Sequence, residues 1–121
     1  MLRKILLPFW RRSEINAAEY LRSQGYRVIA SGYRVQQGEV DLIAWDGEVL
    51  VFVEVKSRQN QDEPEAAVGA TKRRRVIRAA KAYIARYKLQ DKTHRFDIVA
   101  VNQAKKGGPT YRLLRDAFRP Q

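Results

Sequence analysis

The chain has no cysteine and a single histidine, His94, in 121 residues. Disulfides and thiolate metal sites are therefore excluded, and a zinc site built from the usual nitrogen and sulfur ligands is not expected. Long apolar runs are missing too. The N-terminal stretch Met1-Leu2-Arg3-Lys4-Ile5-Leu6-Leu7-Pro8-Phe9-Trp10-Arg11-Arg12 begins basic and turns apolar, as a signal peptide does. Its apolar run is only six residues, broken by Pro8, and no small-residue cleavage site follows. Nothing else approaches the roughly 18 apolar residues of a membrane span. Residues 1–12 are read as an arm and 13–121 as a single domain of a soluble, cytoplasmic protein with no membrane partner.

Acid is scarce where base is abundant. The formal net charge is +11. Residues 1–60 hold 9 Lys and Arg against 7 Asp and Glu, and residues 61–121 hold 15 against 6. No acidic residue stands between Glu65 and Asp91, a stretch that carries Lys72, Arg73, Arg74, Arg75, Arg78, Lys81, Arg86 and Lys88. A merely solvated helix face mixes signs. This asymmetry points to a polyanionic partner, with DNA first and RNA open. Lys105 and Lys106 extend the basic set.

Against that background the acids of one segment stand out. Gly38-Glu39-Val40-Asp41-Leu42-Ile43-Ala44 and Val51-Phe52-Val53-Glu54-Val55-Lys56 flank Asp46-Gly47, a strong hairpin signal. Folding back there pairs Trp45 with Glu48, Ile43 with Leu50, Asp41 with Phe52 and Glu39 with Glu54. Alternation then puts Glu39, Asp41, Glu54 and Lys56 on one face, continued by Ile43, Trp45, Leu50 and Phe52. Val40, Leu42, Ala44, Val49, Val51, Val53 and Val55 form the other face. Asp41 and Glu54 converge closely enough to share an ion, and the opposition of Glu39 to Glu54 calls for a cation. With so few nitrogen and sulfur ligands, that ion is a hard one, Mg²⁺ or Mn²⁺. The competing reading takes these as ordinary charges at a solvated strand end, Lys56 pairing with Glu54 or Glu39.

The remaining pattern supplies the architecture. Ser13 predicts an N-cap for a helix that ends at Gly25. A strand follows over 27–35, with Ser31-Gly32 as a bulge or bend, and then the hairpin. Residues 57–70 are a connector. Val76, Ile77, Ala80, Tyr83, Ile84 and Tyr87 form one apolar stripe of a helix over 71–89. Arg95 to Val101 alternates as a strand parallel to its predecessor across the helix. Tyr111 to Leu114 adds an edge strand, and 116–118 a terminal helical turn. The expected class is α/β, with α-β-β-β-α-β order and a mixed sheet covered by helices on both faces.

Gly38 to Ala44, Val51 to Arg58, Lys72 to Val76, Arg95-Phe96-Asp97-Ile98-Val99 and Asp116-Ala117-Phe118 together resemble the bacterial YraN family. That family is regarded as a branch of the PD-(D/E)xK nuclease superfamily close to archaeal Holliday-junction resolvases, and the likeness spans about residues 14–118. It implies a restriction-endonuclease-like core and a metal-dependent endonuclease that hydrolyses phosphodiester bonds of DNA, branched DNA included. Asp41, Glu54 and the Val55 carbonyl would be metal ligands, Lys56 would position or activate water, and Glu14 would complete the site. Glu39 is carried as an additional acid. Lys72, Arg73, Arg74, Arg75, Arg78, Lys81, Lys105 and Lys106 would track the nucleic acid. Enzymes of this kind act on two strands, so a homodimer is an implied partner. The chain departs from the pattern in having Ser13 where many members carry glycine, and in lacking the proline before Asp41. The alternative function is a non-catalytic nucleic-acid-binding or accessory protein that retains the nuclease fold.

Overall fold

The computed structural model describes residues 12–58, 68–103 and 106–120. Residues 1–11 of the N-terminal arm, most of the connector and Lys105 lie outside them. The elements run α1 (Arg12–Ser23), β1 (Arg27–Val35), β2 (Gly38–Asp46), β3 (Val49–Arg58), α2 (Ala70–Arg86), β4 (His94–Asn102) and β5 (Thr110–Phe118). The five strands form one sheet in the order β1-β2-β3-β4-β5, antiparallel throughout except for the parallel β3–β4 pair. The fold is α/β, and its α-β-β-β-α-β-β order and mixed sheet agree with a restriction-endonuclease-like core.

Each face of the sheet buries one helix, as the apolar strands of the hairpin require. Leu42, Ala44, Val51 and Val53 pack with Ala17, Ala18 and Leu21 of α1. Ile43, Leu50 and Phe52 pack with Val76, Ala79 and Ala80 of α2. Val40 departs from the expected alternation and joins the α2 side, beside Tyr33 and Val35. Phe52, Phe96 and Phe118 stack in sequence across β3, β4 and β5, with ring centroids 5.7 and 5.1 Å apart. Such pairs contribute about 0.5–1.5 kcal/mol beyond the area they bury.

The hairpin register differs from the sequence expectation by two residues. Trp45 faces Leu50, Ile43 faces Phe52 and Asp46 faces Val49, so the turn is Gly47-Glu48. Gly47 takes a positive φ of 59° while Asp46 does not, which is the requirement of a turn whose first central residue is glycine. The Asp46 carboxylate is held instead by the Arg95 guanidinium at 2.6 Å. A slip of two preserves the faces and changes the neighbours. The predicted opposition of Glu39 to Glu54 is therefore absent.

Other boundaries also shift. α1 already includes Ser13, so that residue is not its N-cap. The bulge in β1 falls between Val28 and Ala30, ahead of Ser31-Gly32. α2 stops at Arg86. Residues 116–118 continue β5 instead of turning helical, because Asp116 adopts φ 53° and its N–H donates to Asp97 Oδ1 at 2.9 Å. The resulting irregularity lets Phe118 pair with Phe96.

Candidate functional site

The β2–β3 ladder ends at Leu42 and Val53. One step further, carboxylates take over from backbone carbonyls. The Val55 N–H donates to Asp41 Oδ2 at 2.8 Å, and the Asp41 N–H reaches Glu54 Oε1 at 3.3 Å. Both acids are buried, Asp41 at 7% and Glu54 at 2% exposure. Above them lies the first turn of α2, where Lys72 Nζ stands 3.3 Å from Glu54 Oε2. Helical spacing explains why: Lys72 precedes Val76 by four residues and Ala79 by seven, so it extends the buried stripe of the helix. The helix can lie this close because Gly38 has no side chain. A Cβ there would meet Arg75 O at 2.8 Å and Ala79 N at 2.9 Å.

Burial dominates the electrostatics of the pair. It raises the Asp41 carboxyl above the ordinary range, helped by the charge of Glu39, while the Val55 N–H, Lys72 and a hydrogen bond with Glu54 pull the other way. Burial and then the field of Asp41 push Glu54 up to about 8, against the opposing pull of Lys72. For Lys72, burial alone would favour the neutral amine. The charges of Glu54, Asp41 and Glu39 outweigh it and raise the ammonium. Among the described residues the centre thus holds two acids that resist ionisation and one contacting base. Such a pair of oxygen donors suits a hard divalent ion, which is commonly held by one or two carboxylates with water and substrate phosphate filling the remaining positions.

The other sequence-predicted residues are distributed around this pair. Glu14 is buried and accepts a hydrogen bond from Ser31 Oγ at 2.9 Å. It is not gathered with Asp41 and Glu54: among the described residues, no group of three Asp, Glu or His is placed to hold an ion. Glu39 pairs with Arg34 at 3.0 Å and Arg75 at 3.9 Å, at the rim. Lys56 is half-buried two residues beyond Glu54, and among the described residues it makes no hydrogen bond or ion pair. Val55 meets Asp41 through its N–H. Arg73, Arg74, Arg75, Arg78, Lys81 and Lys106 are exposed. The contact that sequence reasoning missed is Lys72 with Glu54. The signal was present in the i, i+4 relation of Lys72 to the apolar stripe.

A second polar cluster lies on the α1 side of the sheet. Asp97, fully buried, accepts from Tyr26 Oη at 2.6 Å, from Arg95 at 3.0 Å and from the Asp116 N–H. Burial, then the hydrogen bond and charge of Asp97, push the Tyr26 hydroxyl up to about 12. Arg95, Asp97 and Asp116 fall in the motifs that resemble the YraN family, Tyr26 does not, and together they fasten β4 to β5 and to the turn between α1 and β1.

Fold and centre define an α/β domain with paired acids at an interrupted strand pair under a basic helix. A family model described as uncharacterised protein family UPF0102 matches residues 13–101. A UPF0102 protein of Symbiobacterium thermophilum is 47% identical over 84% of this chain and 88% of its own length. One of Solibacter usitatus is 46% identical over 89% and 83%, and one of Chlorobium chlorochromatii 40% identical over 89% and 88%. The chain belongs to the UPF0102 family, the YraN-like branch of the PD-(D/E)xK nuclease-like superfamily. No described helix is long and apolar enough to cross a membrane.

Proposed function

We propose that the protein is a metal-dependent endonuclease acting on the phosphodiester backbone of DNA. One observation carries this reading: Asp41 and Glu54, on adjacent strands, are buried together at the interrupted ladder, with Lys72 in contact with Glu54. Asp41 and Glu54 would hold Mg²⁺ or Mn²⁺, which would polarise the scissile phosphate and lower the pKa of a bound water. Lys56, half-buried and without a partner among the described residues, has an ammonium available to orient the nucleophile or meet a phosphate oxygen. Lys72 moderates the charge of Glu54, and the outward bases of α2 supply a field that attracts the polyanion.

The test is incubation of the purified chain with Mg²⁺ or Mn²⁺ and single-stranded, duplex, flap and four-way DNA, with an RNA control. The comparison is an Asp41→Asn, Glu54→Gln variant. Cleavage by the native chain alone is expected, and branched substrates would identify the resolvase-like activity. Equal activity in both preparations, or none in either, would remove the proposal.

A second reading is a nucleic-acid-binding protein without cleavage. It is favoured by Lys72, which already supplies a counter-charge to Glu54, and by the lack of a third acid at the pair among the described residues. Salt-sensitive DNA binding that ignores Mg²⁺ and the double substitution would decide for it.

A further inference from the structure

The basic residues of α2 fall into two sets. Lys72 and Arg75 turn toward Glu54 and Glu39. Arg73, Arg74, Arg78 and Lys81 instead line a cleft of about 320 Å³ that Arg119, just past the end of β5, closes from the other side. Among the described residues no acidic side chain lines it, and part of its wall is apolar, from Ile77 and Pro120.

Folding alone does not favour this arrangement. Arg74, Arg78 and Lys81 stand in one row at i, i+4 and i+7, and like charges at that spacing weaken a helix by a few tenths of a kcal/mol per pair. The first turn of α2 also has no acid, so its bases oppose the helix dipole. Internal contacts only partly occupy the cations. Arg119 pairs with Asp116 at 2.6 Å, Arg73 donates to the Val68 carbonyl at 2.7 Å and lies 5.8 Å from the centre of the Phe118 ring, and Arg74 reaches Thr71 Oγ1 at 3.3 Å. Among the described residues, Arg78 and Lys81 make no hydrogen bond or ion pair. Three guanidinium groups thus have an internal partner, while Arg78 and Lys81 have none among the described residues.

We propose that this cleft is a second phosphate subsite, taking one nucleotide unit of a nucleic-acid strand, with its phosphate on Arg78 and Lys81 and its sugar or base against Ile77 and Pro120. The volume sits at the small end of ligand sites, which suits a single nucleotide. The inference rests on the nucleic-acid reading given above but not on cleavage.

The test uses the full chain carrying Asp41→Asn and Glu54→Gln, in EDTA, so that neither cleavage nor metal contributes. Fluorescence anisotropy follows a labelled single strand of about 20 nucleotides across a salt series. Arg78→Ala with Lys81→Ala is expected to weaken binding about tenfold at roughly 0.1 M salt and to flatten the salt slope by about 1 to 2. Arg22→Ala with Arg27→Ala removes the same charge from positions that do not line the cleft and is expected to change affinity by less than about threefold. All four side chains are exposed, and melting curves would verify that both variants fold. A strand with a 5′-phosphate that binds more tightly than its 5′-hydroxyl form would assign the subsite to a strand end; equal binding would assign it to an internal phosphodiester. Equal losses in the two charge-matched variants would overturn the proposal, since binding would then follow overall charge. A native chain that binds in this pattern yet never cleaves would sink the nuclease reading alone.

Discussion

Replacing Glu54 by Gln is expected to make the protein more stable at pH 8 while impairing its response to divalent ions. Glu54 is 2% exposed, and burial with the field of Asp41 pushes its carboxyl from 4.5 to about 8. The folded chain therefore binds this proton more tightly than the unfolded chain. The contribution is neutral below pH 4.5 and turns increasingly unfavourable as pH rises toward 8. Across that interval it amounts to on the order of 4 kcal/mol. Asp41 shares the penalty, so roughly 2 kcal/mol is assigned to a single substitution. Gln stays neutral, keeps the size and retains an oxygen for the Asp41 N–H. Thermal melts in EDTA should show Tm for Glu54→Gln about 5–10 °C above the native chain at pH 8, and no difference near pH 4.5. Adding millimolar Mg²⁺ or Mn²⁺ should raise the native Tm and leave the variant unmoved. A variant that melts below the native chain at pH 8 in EDTA would refute the argument, because Lys72 would then already hold the Glu54 charge favourably.

At Asp41 two substitutions separate charge from hydrogen bonding: Asp41→Ala strands the Val55 N–H and should lose about 1–3 kcal/mol in urea unfolding, whereas Asp41→Asn keeps an acceptor and should lose little. Gly38→Ala would drive a methyl into the backbone of α2, so a loss of about 1–3 kcal/mol is expected together with weaker ion-induced stabilisation as Lys72 is displaced; an unchanged Tm would show that the helix gives way freely. Lys72→Met should lower stability by about 1 kcal/mol at pH 8 and by less near pH 5, since its contact partner Glu54 is then protonated; a loss equal at both pH values would make its role one of packing. Tyr26→Phe removes a 2.6 Å hydrogen bond to the buried Asp97 carboxylate and should cost about 1.5–3 kcal/mol in urea unfolding while leaving divalent-ion binding unaltered.

Much of this architecture was legible because hydrophobic period and element order report burial directly. The alternation of residues 38–56 identified two buried faces, and the stripe from Val76 to Ile84 identified the helix covering one of them. Register was harder. Asp46-Gly47 and Gly47-Glu48 are both acceptable turns locally, and the choice fell to Arg95, nearly fifty residues away, which holds the Asp46 carboxylate. The edge strand was likewise cut short in sequence, because its continuation needs Asp116 in a left-handed conformation stabilised by a buried carboxylate on β4. At the site, Asp41 and Glu54 were legible as a pair, whereas Lys72 was counted only among the surface bases. What brings it inward is tertiary: a glycine on β2 that admits the backbone of α2.

The interrupted ladder gives the two acids a structural role beside any chemical one. Asp41 and Glu54 stand where two strands stop pairing, and each accepts an N–H that lacks its usual carbonyl. A neutral amide could do the same without resisting burial, so hydrogen bonding alone does not account for carboxylates here. Their charge disfavours the folded state as pH rises beyond the ordinary carboxylate range, Lys72 offsets it only in part, and a cation from outside would remove the remainder. Stability measured with and without divalent ions therefore reads the same balance that catalysis would use, and it does so without knowledge of the substrate.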